Sequence, residues 1–253
     1  MTSDLAALKG RAEILRELHR GEMLVLPNAW DPPSATVVAD AGFPAVATTS
    51  AAIAEMLGHS DGEDAPWSEM FAAAERIAKA VPVPVTVDAE AGYGMKPREF
   101  VDRLLATGAV GCNLEDTDHR AGVLAEPVAH ARWLAEVRSA ADDAGVPIVV
   151  NARVDVFLPR SRVPESDRVA EAVRRGRLYR EAGADCVYPI GISRRADIAP
   201  LVAEIPAPIN GNTSAELDLA ALRGLGVARV SFGPRYYRAA MAGLAAAVRE
   251  LIA

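Results

Sequence analysis

Two carboxylates two residues apart, Asp88 and Glu90, close an apolar, β-branched run and lead straight into a Gly-x-Gly turn: Val83-Pro84-Val85-Thr86-Val87-Asp88-Ala89-Glu90-Ala91-Gly92-Tyr93-Gly94. The run reads as a buried strand. Strand residues two apart point the same way, so Asp88 and Glu90 are expected to stand together where the strand ends. Like charges so placed repel unless a cation or a proton offsets them. A second strand-like run, Gly111-Cys112-Asn113-Leu114, also ends in acid at Glu115 and Asp116. Hard cations such as Mg²⁺ take oxygen ligands and usually retain several waters. Asp88, Glu90 and Glu115 therefore form a candidate Mg²⁺ site. A competing reading has Asp88 and Glu115 capping the helices that follow, but it does not account for both acidic strand ends together with the Gly-x-Gly turn.

These strands belong to a regular alternation. Apolar runs predict strands at Met23–Pro27, Pro44–Thr48, Val83–Asp88, Val110–Glu115, Ile148–Arg153, Cys186–Ile190, Pro208–Gly211 and Val227–Phe232. Helical spacing predicts an N-terminal helix over Leu5–Leu18 and a helix from the Ser34 region to Asp40. Further helices are expected at Trp67–Val81, Pro97–Thr107, Val128–Ala144, Glu165–Ala182, Arg194–Glu204, Ala215–Leu225 and Arg235–Leu251. Gly108, Gly145, Gly183 and Gly226 punctuate the helix ends, where a left-handed residue is wanted. Eight strands, each followed by a helix, fit a single (β/α)8 (TIM-type) barrel over 1–253. An open doubly wound sheet would carry a Gly-rich phosphate loop after its first strand, and Asn28-Ala29-Trp30-Asp31-Pro32 is not one.

Composition narrows the function classes. Of 253 residues, 51% are hydrophobic, and 27 basic residues against 34 acidic give a net charge of −7 without charged blocks. No basic stripe is present, so nucleic acid is not an expected partner. The apolar stretches are strand-sized, far short of the roughly 20 residues of a membrane span. Met1-Thr2-Ser3-Asp4 runs into an amphipathic helix with no basic-then-apolar leader pattern. Cys112 and Cys186 sit inside apolar runs, have no metal-ligand spacing, and suit a reducing cytoplasm.

Barrel active sites lie at the C-terminal ends of the strands. Read in order, those ends offer Asn28 and Trp30, Thr49 and Ser50, Asp88 and Glu90, Glu115, Asn151 and Arg153, Asn210 and Asn212, then Ser231. Carboxylates gather on strands three and four, with a guanidinium opposite on strand five. Metal on one side and Arg on the other suit a small dicarboxylate or keto acid, because Arg grips carboxylate bidentately. Arg153 can equally be a buried partner of Asp88 or Glu115.

The segments Asp88-Ala89-Glu90-Ala91-Gly92-Tyr93-Gly94, Asn113-Leu114-Glu115-Asp116 and Asn151-Ala152-Arg153-Val154-Asp155 resemble the isocitrate lyase/phosphoenolpyruvate mutase superfamily. Ala41–Val46, Leu57–Asp61 and Tyr179–Asp185 extend the likeness over about residues 20 to 245. The resemblance implies a (β/α)8 barrel, Mg²⁺, and a carboxylate substrate that passes through a pyruvate-type enolate. It also implies a homodimer or homotetramer, since family members commonly exchange the last helix between subunits. Asp88 and Glu115 fall on metal-linked positions, and Glu90 stands where many members have Asp. Arg153 matches the substrate-carboxylate arginine. Thr49, Ser50 and Ala51 match a segment holding the carboxylate and keto oxygen, Asp61 a loop aspartate of the mutases, and Trp30 an aromatic position of the lyases.

The departures bear on the reaction. Lyases of this superfamily carry a Lys-Lys-Cys-Gly-His loop after the strand-four Glu. Here Asp116-Thr117-Asp118-His119-Arg120-Ala121-Gly122-Val123-Leu124 is shorter and has no thiol. The mutases' Lys- and Asn-containing gating loop is missing too, and Tyr188-Pro189-Ile190-Gly191 lacks their strand-six His. His119 is then the candidate acid or base, since His titrates near neutrality; as a lone His in a polar loop it can equally be solvent-exposed. The expected activity is a Mg²⁺-dependent C–C lyase or decarboxylase acting on a small α-keto or 2-hydroxy (di)carboxylate. P–C bond chemistry on the same scaffold, and a non-catalytic carboxylate-binding barrel, are the alternatives.

Overall fold

The computed structural model describes residues 2–252; Met1 and Ala253, the two ends of the expected 1–253 domain, lie outside the described residues. The chain begins with α1 (Thr2–Leu18), β1 (Leu24–Leu26), β2 (Asn28–Ala29), α2 (Pro32–Asp40), β3 (Val46–Thr48), α3 (Ser50–Leu57) and α4 (Trp67–Ala80). It continues with β4 (Val85–Asp88), α5 (Pro97–Ala106), β5 (Gly111–Glu115), β6 (Thr117–Asp118), β7 (Val123–Leu124), α6 (Pro127–Asp143) and β8 (Val149–Val154). The last third holds α7 (Arg168–Glu181), β9 (Cys186–Pro189), α8 (Arg195–Glu204), β10 (Asn210–Gly211), α9 (Leu219–Gly224), β11 (Arg229–Ser231) and α10 (Arg235–Arg249).

Apart from the small antiparallel β6–β7 hairpin, every strand pairing is parallel, and the strands form an arc of six (β2-β3-β4-β5-β8-β9) and an arc of three (β1-β11-β10). The sequence predicts one closed barrel; among the described residues the ladder is instead interrupted at two seams, both beside proline. Pro27 separates β1 from β2, and a proline has no N–H for a ladder. At the other seam β9 meets the chain before β10 through the single bridge Val187↔Ile209, next to Pro208. Asn28 spans the first seam, its amide donating to Thr48 O at 2.7 Å and its Oδ1 accepting from Phe232 N at 2.7 Å.

Register brings the chemistry together. Asp88 pairs with Asn113, and Asn113 with Asn151, while Glu115, Arg153 and Tyr188 lie side by side on β5, β8 and β9. Strand and helix interiors are apolar and buried, including Val85, Val87, Leu114, Val149 and Val150 against Ile77, Phe100, Leu104 and Leu134. Cys112 and Cys186 are free and buried, as expected, and burial pushes both thiols up to about 12.

Three local features differ from the expectation. The helices expected from sequence leave out α3, a short helix closed by left-handed Gly58 (φ 86°). The loop after β5 is a hairpin, β6 with β7. And β4 stops at Asp88, so Asp88 and Glu90 do not share a strand face: Glu90 sits in a turn at φ 48°. No described helix is long and apolar enough to cross a membrane.

Candidate active site

A cavity of about 380 Å³ opens at the C-terminal ends of the strands, lined by Thr49, Ser50, Ala51, Asp61, Asp88 and Arg153 together with Tyr188, Ser231, Arg160 and Arg238. Eight of the residues expected from sequence, Asn28 and Ser231 among them, thus share one space. The first turn of α3 supplies Ser50, whose amide (3.1 Å) and hydroxyl (2.9 Å) both meet Asp88 Oδ2. The same hydroxyl lies 2.9 Å from Asp61 Oδ1. One hydroxyl has one proton, so it satisfies only one of two carboxylates at a time. Asp88 Oδ1 is buried and has no hydrogen-bond partner. Burial raises the Asp88 pKa; Arg153 opposes the rise, and the Asp61 charge adds to it.

Arg153 faces the cavity from β8 but is already engaged. Its Nη1 pairs with Glu115 Oε2, while Nε and Nη2 reach Asp155 Oδ1 and Oδ2 at 2.7 and 3.0 Å. Asp155 is itself fixed, accepting from Thr117 Oγ1 at 2.5 Å and donating its amide to Asp116 Oδ1 at 2.8 Å. Asp116 in turn takes Arg175 and the Tyr179 hydroxyl. Glu115 Oε1 holds His119 Nε2 at 2.6 Å. Burial pushes Glu115 up to about 7, against the pull of Arg153 and His119. For His119, burial acts downward, but the Glu115 hydrogen bond and charge outweigh it, and the net shift is upward.

The other expected site residues lie elsewhere. Glu90 turns under the neighbouring loop, where its Oε1 accepts the amides of Gly62 (2.8 Å) and Glu63 (3.0 Å). His119 and Glu115 line an adjoining groove with Glu63, Met95, His130 and Trp133 rather than the cavity. Trp30 packs edge-on against Tyr237 at 5.4 Å and lines an outer apolar pocket. Asn210 is fully buried, bonded to Asn151, Gly211 and Ser231. Asn212 acts through another residue, accepting the Tyr188 hydroxyl at 2.9 Å.

The turn after β4 is held under strain. Glu63, Glu90 and Tyr93 are non-glycine residues at φ 61°, 48° and 56°, a conformation that surrounding contacts must impose. Here the Glu90 carboxylate does so together with the Tyr93 amide, which donates to Glu63 Oε1 at 2.6 Å. Gly92 is required: its φ is +87°, and a Cβ would come within 2.6 Å of Trp133.

The expected metal triad needs correction. Among the described residues no group of three or more His, Cys, Asp or Glu side chains is placed to hold a metal ion. Glu115 is taken by Arg153 and His119, and one oxygen of Glu90 by two amides. What does fit a hard cation is the buried, partnerless Asp88 Oδ1 beside the cavity; Glu90 lies outside the cavity lining, its carboxylate set against the Tyr93 hydroxyl. Mg²⁺ suits such a sparse donor set, because it is commonly bound by one or two carboxylates and keeps its waters.

A family model for phosphoenolpyruvate phosphomutase matches residues 15–252. The chain belongs to the phosphoenolpyruvate mutase family, in the phosphoenolpyruvate mutase/isocitrate lyase superfamily. An oxaloacetate decarboxylase from Bradyrhizobium sp. strain BTAi1 is 30% identical over 208 residues, 79% of this chain and 70% of the relative. A solved structure from Burkholderia cenocepacia J2315, provisionally described as a phosphonomutase, is 41% identical with a TM-score of 0.89, covering 96% of this chain and 99% of that one. A 2,3-dimethylmalate lyase structure is 26% identical with a TM-score of 0.84, covering 95% and 85%.

Within the phosphoenolpyruvate mutase family this chain's cavity has a residue that sequence reading noted only as a missing His. Tyr188 lines the wall beside Arg153, held by Asn212, and burial raises its pKa. Its place in the predicted Cys186–Ile190 strand, two residues before the C-terminal end, was the available signal.

Proposed function

We propose that this protein is a Mg²⁺-dependent C–C bond lyase or decarboxylase acting on a small α-keto or 2-hydroxy (di)carboxylate through an enolate-type intermediate. The observation that carries the reading is Asp88, a half-buried carboxylate whose buried Oδ1 has no partner, lining a cavity that also presents Ser50, Asp61 and Arg153. We infer that the two strand arcs belong to one (β/α)8 barrel whose open end is this cavity. Asp88 would hold the cation, which when bound supplies Lewis-acid polarisation of a carbonyl and offsets developing negative charge.

The chain's own residues do the rest. Ser50 fixes Asp88 and Asp61 through its amide and hydroxyl. The first turn of α3, carrying Thr49, Ser50 and Ala51, puts the positive end of a helix at the cavity, which favours a substrate carboxylate. Arg153, its charge already balanced by Glu115 and Asp155, forms a fixed wall of the cavity, and the Tyr188 hydroxyl is oriented by Asn212. The Thr117–Leu124 hairpin brings no thiol, which favours decarboxylation, where water can supply the proton.

The test is a substrate screen with Mg²⁺ over oxaloacetate, isocitrate, 2-methylisocitrate and phosphonopyruvate. Oxaloacetate is expected to turn over, and isocitrate and methylisocitrate to be poor; efficient cleavage of either would overturn the argument from the missing thiol. Turnover of phosphonopyruvate alone would establish P–C chemistry, the reading favoured by the Burkholderia relative.

The proposed assembly is a homodimer or homotetramer. On α10, Met241, Leu244 and Val248 are 45%, 56% and 52% exposed, and Tyr237 is its buried residue. Light scattering at micromolar concentration should give a multiple of 26.7 kDa; a monomeric mass would remove the assembly.

A further inference from the structure

We infer that Arg229 is a positioning residue for this cavity: from beneath the floor it turns the Asn113 amide NH2 toward the bound anion and supplies positive charge that the chain leaves unpaired. The inference rests on the proposed function, because the anion it serves is that site's substrate.

Arg229 lies on β11 and is among the largest fully buried side chains. Other buried arginines are matched by carboxylates. Arg153, to which sequence reading gives the carboxylate-gripping role, is taken by Glu115 and Asp155, and Arg175 by Asp116 and Glu171. Arg229 has no carboxylate partner among the described residues. Its Nη1 meets His19 Nε2 at 3.4 Å, its Nη2 donates to Asn113 Oδ1 at 3.2 Å, and its Nε has no partner. His19 Nδ1 lies 2.8 Å from Leu15 O. A carbonyl only accepts, so Nδ1 carries the proton and Nε2 offers Arg229 a lone pair. Burial and the Arg229 charge pull His19 down to about 4, so it brings no charge of its own at neutral pH.

The guanidinium itself stays protonated, and an unmatched buried charge is costly. Its counter-charge must come from the cavity side. Of the groups whose charge reaches it, burial holds Cys112 and Cys186 at about 12 and raises Tyr188, which leaves Asp88 as the one carboxylate. A cation at Asp88 spends that charge and leaves Arg229 to an anion above it. Asn113 carries the effect upward: it lines the cavity and pairs in register with Asp88. Its Oδ1 accepts from Arg229 and, at 2.8 Å, from Asn151 Nδ2, which fills both lone pairs. A guanidinium only donates, so the amide cannot flip, and Nδ2 is the end left for the cavity.

Calorimetry of Mg²⁺ alone, then of oxalate in excess Mg²⁺, compares the wild type with Arg229→Met, Arg229→Lys and His19→Glu, with urea unfolding alongside. Loss of one unit charge below the floor in Arg229→Met should weaken oxalate about tenfold, while Mg²⁺ binds as well or up to about threefold tighter. Arg229→Lys keeps the charge and should hold oxalate within about threefold. His19→Glu gives Arg229 a counter-charge from the opposite end of the strands, without touching the cavity. It should raise the urea midpoint and weaken oxalate about three- to tenfold. Opposite signs for cation and anion mark a charge effect, whereas a merely structural lesion weakens both. Oxalate affinity unchanged in Arg229→Met and His19→Glu, or Mg²⁺ lost together with oxalate, overturns the inference. Should Arg229→Met fail to fold, His19→Glu decides alone. The two readings fail separately: a wild type that binds no oxalate removes the proposed function and this inference with it, and oxalate binding indifferent to the variants removes only the role of Arg229.

Discussion

Asp185 and Asp88 are the same side chain at opposite ends of the strands, and they differ in what is left over. Asp185 precedes β9, and both its oxygens are used: Oδ1 by Arg16, Oδ2 by Arg138 and by the Val150 amide at 2.9 Å. Asp88 ends β4 with Oδ2 on Ser50 and nothing on Oδ1. A carboxylate whose partners are all supplied by the chain ties elements together. One that is buried with an oxygen to spare costs stability, and the cost is repaid only by something the chain does not itself provide. Satisfaction, more than residue type, separates the holding end of this fold from the working end.

Substitutions can break that contrast. Asp88→Ala should lower turnover at least about 10³-fold, since the proposed cation loses its anchor, while urea unfolding shows stability unchanged or slightly raised. Activity that survives, or persists in excess chelator, would remove Asp88 from the chemistry. Asp185→Ala should do the reverse, costing about 2–3 kcal/mol because two arginines are left facing each other without their counter-charge, with kcat of the folded fraction within about twofold. A loss of turnover without a loss of stability would erase the distinction. His119→Asn sharpens it with the smallest effect. A general acid contributes about 10²–10⁴-fold, but His119 faces the adjoining groove and is tied to Glu115. A fall in kcat below about threefold is expected; a fall of a hundredfold with KM unchanged would place His119 in the reaction.

Much of this was legible in the residues. Apolar runs and glycine stops marked the strands and most of the helices, because burial and left-handed ends leave local signatures. The strand-end rule collected Thr49, Ser50, Asp88 and Arg153 into what proved one cavity, and the family likeness added Ala51 and Asp61. What stayed hidden depends on partners far apart in sequence. That Asp155 occupies Arg153, and that two backbone amides capture Glu90, follows from register and loop packing, which no local spacing encodes. The Asp88–Glu90 pairing failed for a nearer reason: the two-residue alternation ends with the strand, and Glu90 is already left-handed.

The two loops over the site differ in how freely they can be rewritten. Gly62 and Glu63 give their amides to Glu90, and Glu63 takes the amide of Tyr93, so the segment after α3 and the turn after β4 are buckled into one body. A residue inserted between Ser60 and Asp64 would release a strained turn two positions from Asp88 and disturb the proposed cation site. Hairpin β6–β7 closes mainly on itself. Its tip, Arg120-Ala121-Gly122, rests on Asp118 through the Arg120 and Ala121 amides and the Gly122 N–H to Asp118 O. New proton donors can therefore be grafted at that tip while Asp88, the proposed anchor of a cation, stays where it is. Descent within such a scaffold would change the reaction there first, and leave the buckle alone.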